Sequence, residues 1–261
     1  LQSNNAPDDL QPLLALAHEA AWRAGEAIMA VYAGKFDVRR KDDASPVTIA
    51  DEQAERIILS ALAEGAPAIP AIAEEQAAAN GLPESAPRLF WLVDPLDGTK
   101  EFVNRNGEFT VNIGLVHDSV PILGIVYVPA QDITYAGAGP DSATRQRGTA
   151  PPEKIAARVP PDEGLIVVHS RSHESNQEFA AFIAGLKIAG VRVAGSAVKF
   201  GLVASGEADI YPRFGPTMEW DTAAGHAVLN AAGGRMTMHD GTPFRYGKKG
   251  FLNPGFIARG Q

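Results

Sequence analysis

Apolar residues recur at helical spacing over residues 10–32, with Leu10, Leu13, Leu14, Ala17, Ala21, Ala24, Ile28 and Val31 on one stripe and Gly34 as a stop. This predicts an amphipathic helix. A polar stretch, 35–46, separates it from a second helix, whose start is marked by Thr48 and Asp51 at capping-box spacing and whose apolar face includes Ala54, Ile57, Ile58 and Leu62. The period then shortens. Residues 71–73 form a brief apolar run leading into Glu74 and Glu75, and 89–93 form another ending at Asp94, so two predicted strands run directly into carboxylates. Residues 109–116, 122–128 and 133–136 are β-rich with turn residues between them, which predicts an antiparallel meander.

Glycine, proline and charge dominate 137–164, where Pro151, Pro152, Pro160 and Pro161 predict a connector rather than core. The lobe boundary is placed there, giving an N-terminal α+β lobe over 8–150 and a C-terminal α/β lobe over 151–261. In the second lobe elements alternate: a strand at 165–169, a helix opened by Ser175 and Glu178 and closed near Gly190, a strand at 191–194, a helix at 196–204, and a strand at 209–212. A helix from about Trp220 to Ala232 and a strand at 235–238 follow. Such alternation favours an α/β arrangement.

Composition narrows the functional classes. With 23 Lys plus Arg against 31 Asp plus Glu the formal charge is −8, so a general nucleic-acid or anionic-membrane binder is disfavoured, while a small anion held at a locally positive site is not. Cysteine is absent, which removes disulfides, thiolate metal sites and cysteine nucleophiles. No apolar run reaches the roughly 18 residues of a membrane span, and no signal-peptide pattern is visible. The chain is read as cytoplasmic, with peripheral association at the inner membrane the most that its surface would add.

The most informative segment is Asp94-Pro95-Leu96-Asp97-Gly98-Thr99. Pro95 stiffens the turn, so Asp94 and Asp97 can face one point joined by the Leu96 carbonyl, while Gly98 and Thr99 can open a helix whose free amides meet an anion. Hard oxygens around a turn suit Mg²⁺, which keeps several waters and binds through one or two carboxylates plus substrate phosphate. In isolation the same segment is an ordinary solvated turn. Asp51 has a sufficient role in its capping box, Thr99 is a plausible helix cap, and Asp221 can be a dipole-complementing residue and nothing more. If the acids converge, each pair at roughly 5 Å in an effective dielectric of about 20 repels by about 3 kcal/mol, a cost that bound cations or raised pKa values must offset.

The set Ser45-Pro46-Val47-Thr48-Ile49-Ala50-Asp51, Glu74-Glu75, Asp94-Pro95-Leu96-Asp97-Gly98-Thr99 and Trp220-Asp221-Thr222-Ala223-Ala224-Gly225 closely resembles the inositol monophosphatase-like superfamily of metal-dependent, lithium-sensitive phosphomonoesterases. Lys100-Glu101-Phe102, the segment Asn106-Gly107-Glu108-Phe109-Thr110-Val111-Asn112, and Tyr211-Pro212-Arg213-Phe214-Gly215-Pro216-Thr217 are similar to its 3'(2'),5'-bisphosphate nucleotidase branch. The resemblance implies a layered αβαβα sugar-phosphatase-like fold. It implies two or three Mg²⁺ held by Glu74, Asp94, the Leu96 carbonyl, Asp97 and Asp221, with Asp51 and Thr99, assisted by Glu74, as the catalytic, water-activating set. Leu96, Asp97, Gly98, Thr99 and Asp221 would face the scissile phosphate, and His173, Ser196, Lys199 and Arg213 the rest of a nucleotide bisphosphate. The family commonly has two consecutive serines where this chain has Ser196 and then Ala197.

Three functions stay open on these residues. One is hydrolysis of adenosine 3'(2'),5'-bisphosphate to AMP and phosphate. A second is hydrolysis of an inositol or other sugar phosphate, and a third is noncatalytic metal or phosphate binding, which would not require the Asp51–Thr99 pair. The partner expected is a small nucleotide in a monomeric or homodimeric protein, with no nucleic acid.

Overall fold

A computed structural model describes residues 7–40, 46–170 and 177–261. The first helix forms where its stripe requires: α1 (Gln11–Ala33) buries Ala17, Ala20, Ala21, Ala24 and Ile28. A small antiparallel pair, β1 (Arg39–Arg40) and β2 (Pro46–Val47), precedes α2 (Ile49–Gly65), which the Thr48–Asp51 capping box opens. Then come β3 (Ala71–Ala73), α3 (Glu74–Asn80), β4 (Leu89–Asp97), α4 (Thr99–Val103) and the meander β5 (Thr110–His117), β6 (Val120–Val128) and β7 (Ile133–Ala138). β8 (Thr144–Arg147) and β9 (Glu153–Lys154) extend it into a seven-stranded sheet in chain order, antiparallel except where β3 runs parallel to β4.

The second sheet is built from β10 (Leu165–His169), β11 (Ile188–Val193), β12 (Ile210–Arg213), β14 (Arg235–Met238) and β16 (Phe256–Arg259), in the order β11-β10-β12-β16-β14. Four of its strands run in one direction, and β16, between β12 and β14, runs against them. Between them in the chain lie α5 (Gln177–Ala184), α6 (Val198–Ala204), β13 (Thr217–Met218), which pairs with β15 (Leu252–Asn253), and α7 (Ala223–Ala231).

Strand alternation makes the layers. On β4, Trp91 and Val93 face the α1–α2 layer while Phe90 and Leu92 face the core shared with α6 and α7, because successive side chains point to opposite faces. α6 and α7 fill the space between the sheets with Phe200, Val203, Val228 and Leu229, and α5 covers the outer face of the second sheet through Phe179 against Val167, Ile210 and Ile257. The result is the layered αβαβα order. No helix among the described residues is long and apolar enough to cross a membrane.

One packing detail bears on the site. Gly114, Gly124 and Gly137 are neighbours across β5, β6 and β7. A Cβ at these positions would come within 2.8 Å of the Ala224 amide nitrogen, 2.2 Å of the Ala224 carbonyl oxygen and 2.6 Å of the Ala231 Cβ. This glycine row is the groove in which α7 lies.

Several boundaries differ from the sequence reading. The acids at 74–75 open a helix, α3, because Ala77, Ala78 and Ala79 are good helix formers. The 137–164 stretch contains β8 and β9 as well as connector. The helix expected to close near Gly190 ends at Ala184, since Ile188 already pairs with Leu165 on β10, and its expected opener Ser175 lies outside the described residues. The last helix begins at Ala223 rather than near Trp220, which places Asp221 just ahead of it.

Candidate active site

Each site acid sits where an element starts or ends. Asp51 occupies the first turn of α2, with its Oδ2 accepting the Thr48 amide at 2.8 Å and the Thr48 hydroxyl at 2.8 Å. This is the cap that its spacing predicts. Its other oxygen faces away from the cap, and the Thr99 hydroxyl donates to it at 3.2 Å. The same hydroxyl also lies 3.3 Å from the Leu96 carbonyl, so its single proton is shared between two acceptors. Asp51 is buried, and burial raises its pKa; the bonds from Thr48 oppose the shift and the charge of Glu74 adds to it.

β4 runs through Asp94-Pro95-Leu96-Asp97 with its pairing to β5 interrupted between the two aspartates. The Leu96 amide donates back to Asp94 Oδ1 at 3.0 Å, an Asx-type turn that Pro95 stiffens. Gly98, at φ +87°, turns the chain into α4. That left-handed geometry favours glycine, and a side chain there would also press on Ser196, 3.2 Å from an added Cβ.

Glu74 begins α3 at the end of β3. Its placement depends on a residue the sequence reading missed: buried Glu55, one turn after Asp51 on α2, accepts the Glu75 amide at 2.7 Å. Asp221 is held by the Met218 amide, which donates to its Oδ2 at 2.8 Å. The neighbouring Glu219, also missed, is fully buried and clamps the loop by accepting the Gly247 and Lys248 amides at 2.7 and 2.9 Å and the Lys248 ammonium at 2.6 Å. Neither has a motif signature. Glu55 is legible only as a charged residue on the apolar face of a helix.

Electrostatics brings these acids together. Burial pushes the Asp94 carboxyl well above the usual range, and the charges of Glu74, Asp97 and Asp221 push it further. Asp221 is raised in the same way, by burial first and then by Asp97 and Glu74. Among the described residues no three acids or histidines close on a single point as a finished metal cage. The donor set nevertheless fits a hard divalent cation: it is all oxygen, it carries a surplus of buried negative charge, and Mg²⁺ needs only one or two carboxylates with water and phosphate completing its shell.

Asp97, Gly98, Ser196, Lys199, Arg213 and Asp221 line one cleft of about 170 Å³. A larger groove of about 1020 Å³ lies between α2 and α3, lined by Glu55, Arg56 and Gln76 among others, and holds none of the expected site residues. In the smaller cleft Ser196 donates to Asp97 Oδ2 at 2.5 Å. Lys199 is 2% exposed, not a solvated surface charge. Its ammonium donates to the Ala194 carbonyl at 3.3 Å and to the Ser196 carbonyl, and it lies 5.1 Å from the Tyr211 ring centre. Burial lowers its pKa to about 8, with Asp97 opposing the shift and Arg213 adding to it. Arg213 is half-buried and donates at 3.2 to 3.4 Å to the Gly215 and Pro216 carbonyls and the Ser170 hydroxyl. His173 lies outside the described residues. The cleft thus sets Asp97 at the end of β4 and Asp221 ahead of α7 against the cations Lys199 on α6 and Arg213 on β12, an arrangement suited to a phosphate ester between metal ions and fixed cations.

Comparison with known proteins agrees. Residues 9–258 match the inositol monophosphatase family. The chain is 45% identical over 241 residues to the 3'(2'),5'-bisphosphate nucleotidase CysQ of Shigella flexneri, covering 91% of this chain and 96% of that protein. It is 42% identical over 245 residues to the CysQ nucleotidase of Buchnera aphidicola, covering 92% and 91%. Among solved structures, CysQ from Bacteroides thetaiotaomicron superposes with a TM-score of 0.80 at 37% identity over 96% of this chain and 97% of that one. An inositol monophosphatase from Anabaena superposes with a TM-score of 0.73 at 28% identity over 96% and 90%. The chain belongs to the inositol monophosphatase family.

Proposed function

We propose that this member of the inositol monophosphatase family is an Mg²⁺-dependent phosphomonoesterase of the 3'(2'),5'-bisphosphate nucleotidase branch, hydrolysing adenosine 3'(2'),5'-bisphosphate to AMP and phosphate by direct attack of water. The observation that carries the reading is the hydrogen bond from Thr99 to Asp51 at the edge of the Asp94–Asp97 turn. Metal or phosphate binding alone would not require it. The substrate class draws on the relatives' named activity and on two cations, Lys199 and Arg213, lining the same cleft as Asp97 and Asp221.

Glu74, Asp94, the Leu96 carbonyl, Asp97 and Asp221 are the groups that would hold two or three Mg²⁺, and bound Mg²⁺ supplies a water of lowered pKa and positive charge against the departing ester oxygen. The chain's own residues do the rest. Because Thr99 donates to Asp51, its hydroxyl oxygen is left to accept a hydrogen bond from the attacking water, so the water is oriented and its proton directed toward a carboxylate. The raised pKa of Asp51 favours taking that proton. First-turn amides of α4, which have no partner within the helix, receive the scissile phosphate beside Gly98 and Thr99. Lys199 and Arg213 hold the phosphate that stays on the product, Arg with a planar fork and Lys as a point charge. In this reading the lobe over 8–150 brings most of the metal ligands and the lobe over 151–261 brings Asp221 and the nucleotide contacts.

The test is phosphate release measured side by side on adenosine 3',5'-bisphosphate and inositol 1-phosphate, with Mg²⁺ and after chelation and dialysis. Preference for the bisphosphate, loss of turnover on chelation and inhibition by millimolar Li⁺ are expected. Preference for inositol 1-phosphate rejects the substrate, and turnover undiminished by chelation rejects the metal mechanism.

A further inference from the structure

β5 carries two polar residues in the middle of a buried sheet. Thr110 and Asn112 are both 0% exposed. In the β4–β5 ladder Thr110 stands opposite Asp97, and Asn112 stands opposite Asp94. Two apart on one strand, they share a face, the same face on which Gly114 meets Ala224 of α7. Val111, Ile113 and Leu115 on the other face belong to the apolar core with α1 and α2. Buried polar groups require partners; the donors of both side chains lead to one atom, while the Asn112 side-chain oxygen has no hydrogen-bond partner among the described residues.

The Thr110 and Ser196 hydroxyl oxygens are 2.5 Å apart, and Ser196 Oγ is 2.5 Å from Asp97 Oδ2. An ionised carboxylate only accepts, whereas a hydroxyl has one proton to donate. Ser196 must therefore spend its proton on Asp97, and the bond to Thr110 can form only if Thr110 donates to Ser196. The direction of the chain is fixed: Thr110 to Ser196 to Asp97. Asn112 Nδ2 reaches the same Oδ2 at a longer 3.4 Å. Both arms end on one oxygen of Asp97, Oδ2, and neither involves Oδ1. Ser196 is at φ +50°, a left-handed conformation uncommon for serine that persists only where surroundings impose it. The chain also ties β5 of the first sheet to the loop that leads from β11 of the second sheet into α6.

We propose that Thr110 is a positioning residue for Asp97: acting through Ser196, it fixes the rotamer of the carboxylate and the oxygen that it offers to a divalent cation. The Ser196 hydroxyl is accordingly committed to Asp97 and is not a free contact for the nucleotide. This rests on Asp97 being a cation ligand, and the experiment separates the two ideas.

Mn²⁺ binding to substrate-free protein is titrated by the loss of its free-ion paramagnetic resonance signal in wild type, Thr110→Val, Thr110→Ser and Asp97→Asn. Partners behind a ligand typically contribute about 10-fold to 100-fold in metal affinity. Thr110→Val is expected to weaken Mn²⁺ binding about tenfold, while Thr110→Ser, which keeps the hydroxyl, stays within about twofold, and KM for substrate at saturating metal moves less than the metal Kd. If valine does not fold there, Thr110→Ala makes the same comparison. Unchanged affinity in the hydroxyl-free variant, or equal loss in Thr110→Ser, overturns the positioning role. Unchanged affinity in Asp97→Asn instead overturns the ligand reading beneath it.

Discussion

Gly124→Ala perturbs the active site from a residue that touches none of it. Gly124 is the middle member of the glycine row under α7, and an alanine methyl there would lie 2.2 Å from the Ala224 carbonyl oxygen and 2.9 Å from the Ala227 Cβ. Ordinary carbon-to-oxygen contact is about 3.3 Å or more, so the helix must lift from the sheet by roughly 1 Å. Both partners are backbone-anchored, and no flexible side chain can swing aside. Overpacking of this kind costs about 1 to 3 kcal/mol. The functional effect should exceed what stability alone gives, because Asp221 stands three residues before Ala224, and a misplacement of about 1 Å can lower turnover on the order of a hundredfold. The assay pairs urea unfolding with kcat/KM on adenosine 3',5'-bisphosphate under conditions where the variant is fully folded. Gly190→Ala is the control, since a Cβ at Gly190 meets nothing within 4 Å and should change stability by no more than about 0.5 kcal/mol. Gly124→Ala within that margin of wild type, with kcat/KM within about twofold, would refute the argument that the groove positions Asp221.

Other outcomes follow from single residues. Arg213→Ala should lower kcat/KM for adenosine 3',5'-bisphosphate by about 2 to 3 kcal/mol while hardly affecting inositol 1-phosphate; an unchanged ratio between the substrates rejects Arg213 as the second-phosphate contact. Glu55→Gln keeps an acceptor for the Glu75 amide and should retain most activity, whereas Glu55→Leu should raise the Mg²⁺ concentration for half-maximal rate; equal behaviour of the two would show that the hydrogen bond does not position Glu74. His226 is buried against Tyr246, its Nδ1 3.1 Å from the hydroxyl, and burial first, then the Arg245 charge, lowers its pKa to about 3. The unfolded chain therefore binds a proton below about pH 6.5 that the folded chain refuses, and this contribution to stability falls by about 2 kcal/mol from pH 7 to pH 5. Comparing wild type with His226→Asn cancels the carboxylates of the site, and a difference in unfolding free energy that does not change with pH would contradict this.

The legible parts of the fold were those with a local cause. The stripe of α1, the cap of α2 and the alternation of β5 to β7 each follow from residues within one element. β11 was misplaced because its residues Ile188 to Val193 pair with β10, more than twenty positions earlier, and pairing partners leave no mark on local periodicity. β15 and β16 escaped for the same reason, and α3 because its alanines carry no stripe. At the site, the motifs singled out the acids whose charges the structure brings together, while Glu55, Glu219 and Thr110 were given no role. Each of these works by reaching an atom on another element, and no spacing rule encodes that reach.

Asp51, Thr99 and Asp221 were each ambiguous in the sequence, and they share a physical trait with Glu74, which was read at a strand end. All four stand in or just ahead of the first turn of a helix, α2, α3, α4 and α7 respectively. An acid or hydroxyl there has a sufficient explanation in unpaired amides and the positive end of the helix dipole. The fold aims these starts at one place, as the Thr99–Asp51 bond and the mutual charge effects of Glu74, Asp94, Asp97 and Asp221 record. In the proposed mechanism capping and catalysis are one property used twice: Asp51 satisfies the α2 start with Oδ2 and receives Thr99 on Oδ1. In that mechanism the start of α4 also offers its amides to the phosphate. The proposed dianionic substrate is compatible with a net charge of −8, since at a Debye length of about 8 Å the amides and the Lys199 and Arg213 cations in the cleft outweigh acids elsewhere on the surface.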